Sequence, residues 1–167
     1  MLPDMIEKIA YELMSPDQIK TFEANWEMNL SFGVPNVGNF RVNIFRQRGS
    51  TSIVIRFILG NIPALDELGL PNILGELIME KRDLILIVGA TGSGKSTTIA
   101  SMLDHRNANR SGHILTVEDP IEFLFKHKKS VVNQREIGMD THDWASALKN
   151  AMRQAPDCIL IGEIRDK

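Results

Sequence analysis

Cysteine is almost absent from this 167-residue chain, in which Cys158 stands alone. A single cysteine forms no internal disulfide and no cysteine metal site, so the composition favours a reducing compartment. No apolar run approaches the roughly 20 residues that span a bilayer, and the start, Met1-Leu2-Pro3-Asp4, lacks the basic and apolar stretches of a signal peptide. These absences predict a soluble, cytoplasmic protein.

An excess of charge of one sign is also missing. Lys and Arg together number 19 and Asp and Glu 21, which gives a formal net charge of −2. Such a chain has no overall basic field to attract nucleic acid or anionic lipid, so no nucleic-acid partner is predicted. Apolar residues make up 43% and charged residues 24%, which is ordinary globular composition. The length suits one domain or two small ones.

Residues 1–60 have the pattern of a small α+β domain. A helical pattern over residues 4–26 is interrupted at Ser15-Pro16-Asp17, where Ser15 suits an N-cap and Pro16 a first helical position. Three strand-like runs follow, at residues 28–34, 40–47 and 52–58. The short connections between the runs are typical of hairpins. We therefore expect an antiparallel sheet with a helix on one face.

Residues 72–167 have the alternating pattern of a second domain, after a predicted linker at 61–71 that contains two prolines and two acidic residues. A helix is predicted at 71–81. Residues 84–88 are apolar at every position, which is typical of a parallel strand covered on both faces. Further buried strands are predicted at 113–117 and 158–161, with helices at 95–109 and 141–154. The alternation predicts an α/β fold with a doubly wound, mostly parallel sheet.

A glycine-rich segment connects the predicted strand 84–88 to the next helix. It reads Gly89-Ala90-Thr91-Gly92-Ser93-Gly94-Lys95-Ser96, followed by Thr97. The glycines let several backbone N–H groups point at one anion, Lys95 suits the β- and γ-phosphates, and the Ser96 hydroxyl suits Mg²⁺. The start of a helix also favours phosphate charge. This P-loop predicts binding of ATP with Mg²⁺.

Carboxylates follow two of the other predicted strands. Glu118 and Glu122 come after the strand at 113–117, and Glu163 and Asp166 come after the strand at 158–161. Side chains at strand ends next to a P-loop are the candidates for catalysis. Gly162 stands where a P-loop ATPase usually has its Asp, one residue before Glu163. We predict functional roles for Glu118 and Glu163, and solvated or structural roles for Glu122 and Asp166.

Several segments occur in a characteristic order along the chain. They are Phe40-Arg41-Val42-Asn43-Ile44-Phe45-Arg46-Gln47-Arg48-Gly49, the P-loop, Glu118-Asp119-Pro120-Ile121-Glu122, Asn133-Gln134-Arg135-Glu136-Ile137-Gly138 and Gly162-Glu163-Ile164-Arg165-Asp166. In this order they resemble the PilT/PilU family of secretion-type ATPases, the type IV pilus twitching-motility (retraction) ATPases. The resemblance covers the chain from about residue 25 to its end, and some segments are nearer to PilU-like members.

The resemblance implies a role for each candidate residue. The P-loop domain would be RecA-like and residues 1–60 part of a PAS-like domain. Glu118 would be the general base that orients the attacking water, and Glu163 would support Mg²⁺ together with Ser96. Which of the two glutamates is the base stays open. Arg41 and Arg56, in the N-terminal domain, would reach the γ-phosphate and stabilise charge on the transferred group.

The resemblance also implies the biological setting. Members of the family are hexameric rings that hydrolyse ATP, turn an inner-membrane platform protein and withdraw pilin subunits from the fibre. The protein is therefore expected in the cytoplasm, peripheral at the inner membrane, with a PilT-like ATPase as a possible second partner. The family's His box and C-terminal helices lie beyond the segment that ends this chain at Lys167. We therefore expect a fragment.

Two other functions remain open. One is an assembly or type II secretion ATPase of the same superfamily. The other is a nucleotide-binding regulatory subunit that occupies a ring and hydrolyses little ATP itself.

Overall fold

The computed structural model describes residues 3–35, 37–58 and 61–163. The chain divides into two compact units, Met1–Gly60 and Asn61–Lys167. Within the described residues, every helix is too short or too polar to cross a membrane.

Two helices open the first unit, α1 (Pro3–Leu13) and α2 (Pro16–Asn25). Ser15 lies between them and is the N-cap residue of α2. The backbone N–H of Gln18 donates to Ser15 Oγ over 3.3 Å, and the backbone N–H of Ser15 donates to Gln18 Oε1 over 2.9 Å. Such a capping box satisfies two backbone donors at the helix start. The predicted interruption at Ser15-Pro16 is confirmed.

Three antiparallel strands complete the first unit, in the order β1-β2-β3. They are β1 (Glu27–Val34), β2 (Gly38–Gln47) and β3 (Ser50–Ile58). The core contains Ala10, Phe22, Val42 and Ile44, each completely buried. Alternate residues of β2 supply it because side chains on a strand alternate between faces. The predicted antiparallel sheet covered by helices is confirmed, while the PAS-like comparison stays a prediction.

The second unit contains a parallel sheet with helices. Its elements are α3 (Ile73–Leu77), α4 (Lys95–Asn109), β4 (Gly112–Glu118), β5 (Ser130–Glu136), α5 (Trp144–Ala151) and β6 (Cys158–Ile161). The strand order is β5-β4-β6 and both pairings are parallel. Leu103 of α4 packs on Ile114 and Val132 of the sheet. The predicted α/β class with parallel strands is confirmed for these elements.

The prediction of a buried strand at residues 84–88 is wrong. This segment has no strand conformation and pairs with none of the described strands. Four of its five side chains are exposed, including Leu84 at 81%, Leu86 at 65% and Val88 at 90%, and Ile87 is half-buried. A strand needs a hydrogen-bonded neighbour, and in the part of the chain that the structure describes the three strands of this sheet bond only to one another. Continuous apolar sequence indicates a segment suited to burial, but it does not supply the partner.

Three smaller predictions also change. The predicted linker at 61–71 packs against α4, since the Ser101 hydroxyl donates to the Pro63 carbonyl over 2.8 Å. The helix predicted at 71–81 is shorter, at Ile73–Leu77. Strand β5 was not predicted, because only two of its residues, Val131 and Val132, are apolar. Its burial alternates nonetheless, and the buried positions include Ser130 and Glu136.

Candidate functional site

The P-loop has the backbone curvature that phosphate binding needs. Gly92 and Gly94 have positive φ angles of 80° and 90°, a region that side chains disfavour. A Cβ atom at Gly89 would lie 2.6 Å from Ser93 Oγ, so a side chain there would require the Ser93 hydroxyl to turn away. The backbone N–H of Ser93 donates to the Ala90 carbonyl over 3.2 Å and closes the turn. The backbone therefore favours glycine at positions 92 and 94, and position 89 has little room beside Ser93.

Lys95 lies at the start of α4, directly after Gly94, which is its N-cap residue. Its ammonium group donates to the carbonyls of Gly89 and Ala90 over 2.9 and 2.8 Å. The positive charge is thus held beside the curled loop, where helix N–H groups add partial positive charge. This arrangement fits a bound polyphosphate. Ser96 and Thr97 follow in the first turn of α4.

Glu118 ends β4 and lies at an edge where three segments meet. Its side chain is buried, with 8% exposed. Gly162, which follows β6, donates its backbone N–H to the Val117 carbonyl over 2.9 Å. A Cβ atom at Gly162 would lie 3.2 Å from Glu118 Cα. Gly162, where an Asp was expected, therefore allows the backbone after β6 to approach Glu118 closely.

The carboxyl group of Glu118 has an unusual environment. Burial raises its pKa above the ordinary range, because the charged form loses hydration. Hydrogen bonds from Thr116, Gln134 and the backbone of Glu122 oppose that rise, and the nearby charge of Glu122 adds to it. Thr116 Oγ1 donates over 2.6 Å and Gln134 Nε2 over 3.3 Å, both to Glu118 Oε1. A raised pKa in a polar cluster at a strand end is typical of catalytic carboxylates.

The other candidate carboxylates have different surroundings. Glu163 is exposed and follows β6 in the chain, directly after Gly162. The parallel pairing of β4 with β6 brings this strand end beside Glu118. Asp166 lies outside the described residues. The predicted roles of Glu118 and Glu163 therefore stay predictions, on strands that the structure brings together.

Sequence reasoning missed the polar residues that surround Glu118. Thr116 is completely buried and Glu136 is 8% exposed. The Glu136 carboxylate accepts the backbone N–H of Ile121 over 3.0 Å, which fixes the segment that follows Glu118. All four residues of Asn133-Gln134-Arg135-Glu136 are polar, so no alternation of apolar and polar residues marks this strand in the sequence. Gln134 and Glu136 share a face only because the segment forms a strand.

Arg41 and Arg56 lie directly opposite each other in the first unit. They are register partners across β2 and β3, with Arg41 half-buried and Arg56 exposed. Two like charges in such positions repel each other and destabilise a sheet. A face that concentrates positive charge at this cost suits an anionic partner. The structure brings the two predicted arginines together as a pair.

Comparison with known proteins identifies the family. The family model described as "Type II/IV secretion system protein" matches residues 24–167. The chain belongs to this family. Among curated secretion-family proteins, it is 46% identical to the type IV pilus ATPase PilU of Pseudomonas aeruginosa over 165 residues. That alignment covers 99% of this chain and 43% of that protein.

Two further members of the secretion family are close in sequence or structure. The type IV pilus retraction ATPase PilT of Pseudomonas aeruginosa is 45% identical, with 96% of this chain and 47% of that protein covered. A crystal structure of the pilus retraction motor PilT with bound ADP superposes with a TM-score of 0.92 at 52% identity, covering 96% of this chain and 47% of that one. The chain thus spans about half the length of the relatives it matches.

Proposed function

We propose that this chain is part of an ATP-hydrolysing motor subunit that powers type IV pilus retraction. The observation that carries the proposal is a P-loop in the same compact unit as a buried glutamate with a raised pKa. The first feature suits binding of a nucleotide and the second suits activation of water. Relatives named as pilus ATPases, similar over nearly the whole chain, support the biological setting.

The nucleotide would be held by the P-loop, residues 89–97. The backbone N–H groups between Gly89 and Lys95 would bind phosphate oxygens, and Lys95 would neutralise their charge. The Ser96 hydroxyl would bind Mg²⁺, with Glu163 supporting the ion directly or through water. Mg²⁺ in such sites neutralises charge that develops on the phosphates during transfer. A homologue with bound ADP supports the nucleotide assignment.

Glu118 is the proposed general base. Its carboxylate would orient a water molecule and accept a proton from it as the water attacks. Burial keeps competing solvent away from the group, and its hydrogen bonds stabilise the ionised form that a base requires. Glu163 remains the second candidate for this role.

Arg41 and Arg56 are proposed to bind phosphate charge of the nucleotide, on this or a neighbouring subunit. The support is their direct opposition across β2 and β3. Arginines that stabilise a transferred phosphoryl group contribute roughly 10³–10⁵ in rate in other ATPases and GTPases. We further propose a homo-hexamer that acts from the cytoplasm on the inner-membrane platform protein of the pilus machine, with a PilT-like ATPase as a second partner.

The test compares the full-length protein with its Glu118→Gln variant. Gln keeps the size of the side chain but cannot accept the proton, so turnover should fall by about 10²–10³-fold. ATP affinity should change by less than about threefold, because phosphate binding belongs to the P-loop. Glu76→Gln, at an exposed carboxylate of α3 without a proposed role, is the control and should keep turnover. Wild-type turnover in Glu118→Gln would reject Glu118 as the base.

A second outcome separates the motor from a regulatory subunit. The motor proposal fails if the wild-type protein binds ATP tightly but shows no turnover alone and adds none to the turnover of a PilT-like ATPase in a mixture. A nucleotide-binding ring subunit would then be the better assignment.

A further inference from the structure

We propose that Thr116 and Gln134 are positioning residues that fix the direction of the Glu118 carboxylate. The inference rests on the proposed ATPase function, since it concerns the group assigned as the base. It adds a role for two residues on neighbouring strands that contact Glu118 itself.

The strand register places the three side chains on one face of the sheet. Thr116 and Glu118 are two residues apart on β4, so they share a face. Thr116 pairs with Gln134 of β5. Both side chains donate to the same atom, Glu118 Oε1, over 2.6 and 3.3 Å. Two donors from different strands define where that oxygen lies.

The side-chain amide of Gln134 has only one orientation that satisfies its neighbours. Its oxygen accepts the backbone N–H of Phe125 over 2.9 Å, and an N–H group can only donate. Its nitrogen then donates to the Phe123 carbonyl over 2.8 Å and to Glu118 Oε1. Gln134 therefore connects the carboxylate to the loop that follows β4. Movement of this loop would move a donor of Glu118.

The arrangement does more than satisfy buried polar atoms. A glutamate side chain has three rotatable bonds, and a base loses rate when its carboxylate is misplaced by about 1 Å. Donors on Oε1 hold the side chain in one rotamer before substrate arrives. They also favour ionisation, which opposes the rise in pKa caused by burial. Thr116 and Gln134 thus affect both the position and the protonation state of the Glu118 carboxylate.

Removal of the Thr116 hydroxyl tests the proposal in the full-length protein. Thr116→Val keeps the shape of the side chain and removes the donor, so kcat should fall by about 10-fold or more while KM for ATP stays within about twofold. Thr116→Ser restores a donor and should recover most of the rate. A Val variant with wild-type kcat, or a Ser variant as slow as the Val variant, would overturn the proposal.

Thr51 supplies a matched control. It is a buried threonine, 3% exposed, whose hydroxyl donates to Glu7 Oε1 over 3.1 Å in the first unit. Thr51→Val removes the same kind of bond in the first unit, at a residue without a proposed role in binding or catalysis, so it should alter the melting temperature and leave kcat unchanged. An equal loss of kcat in Thr51→Val and Thr116→Val would assign the effect to general destabilisation and overturn the proposal.

A double variant separates this inference from the proposed function. If Thr116 acts through Glu118, adding Thr116→Val to Glu118→Gln should reduce kcat no further, because the residue that it positions is already inactive. A further loss of about 10-fold would overturn the positioning role. Wild-type turnover in Glu118→Gln alone would instead reject the base assignment.

Gln134→Glu tests the second positioning residue independently. The new side chain keeps an acceptor for the Phe125 N–H but places a carboxylate against Glu118 Oε1 in place of a donor. We expect kcat to fall by about 10-fold or more with little change in KM for ATP. Unchanged kcat would overturn the role of Gln134, even if the Thr116 variants behave as expected.

Discussion

The P-loop and the glutamate edge of the sheet are built in different ways. The loop and the segment before it are exposed, and the contacts of Lys95 and Ser93 lie within residues 89–95. The edge is buried, and Glu118 depends on β4, β5 and the backbone after β6. Phosphate binding is therefore a local property of the chain, whereas the environment of the base is a property of the folded sheet. Substitutions in the two regions should fail in different ways.

The largest expected effect is on the free energy of unfolding. It can be tested with two leucines, one in the buried sheet and one in the exposed segment before the P-loop. Leu115 in β4 is completely buried, whereas Leu86 before the P-loop is 65% exposed. Leu115→Ala should lower the free energy of unfolding of the second unit by about 2–5 kcal/mol, through lost burial and a cavity. Leu86→Ala should change it by less than about 0.5 kcal/mol.

Chemical denaturation of the 167-residue chain measures both values. The two variants remove the same atoms, so the difference between them reports burial alone. A loss of several kcal/mol in Leu86→Ala would show that residues 84–88 are covered in solution. The exposed P-loop region and the buried edge of the sheet would then no longer differ in burial.

The next effect is on nucleotide binding. Lys95→Ala should weaken ATP binding by about 100-fold or more, because a charge pair near a protein surface is worth about 4 kcal/mol at about 4 Å. The melting temperature without nucleotide should stay within about 2 °C, since the Lys95 bonds are local to the loop. Fluorescent-nucleotide titration and thermal melting measure the two quantities.

Lys149, an exposed lysine on α5, provides the control for loss of one positive charge. Lys149→Ala should leave ATP affinity unchanged. Undiminished ATP affinity in Lys95→Ala would show that the loop does not bind phosphate in the proposed way.

The two regions also differ in how well sequence predicts them. The P-loop and helix α4 at Lys95–Asn109 were predicted with their bounds, because glycine spacing and helical periodicity act over a few residues. The prediction that residues 84–88 form a buried strand was wrong, because an apolar run indicates burial but no local pattern specifies the partner strand that burial needs. Strand β5 was missed for the related reason that two of its three buried residues, Ser130 and Glu136, are polar. Such residues form their hydrogen bonds only through tertiary contacts, as Glu136 does with Ile121.

The same reasoning separates the candidate residues. Glu118 was identifiable from its place after an apolar strand, but Thr116 and Gln134 were not, since their donation to Glu118 depends on the register of β4 with β5. The opposition of Arg41 and Arg56 likewise follows from the register of β2 with β3. Sequence thus indicates candidate residues for the chemistry, whereas the residues that contact those candidates follow from the strand register.

The smallest expected effect is on how stability depends on pH at the glutamate edge. Burial raises the pKa of Glu118 in the folded chain, so between the unfolded and folded pKa values the folded state binds more protons. The contribution of this group to the free energy of unfolding is therefore fully present below about pH 4 and is lost as pH rises through the folded pKa.

Glu118→Gln stays neutral throughout, so the variant should be more stable than wild type at pH 7 and should lose that advantage as the pH approaches 4. Denaturation of both proteins across this range measures the difference. A variant with a pH-independent difference in stability would show that Glu118 titrates normally, and the contrast between a solvated loop and a buried edge would then not extend to the ionisation of this carboxyl group.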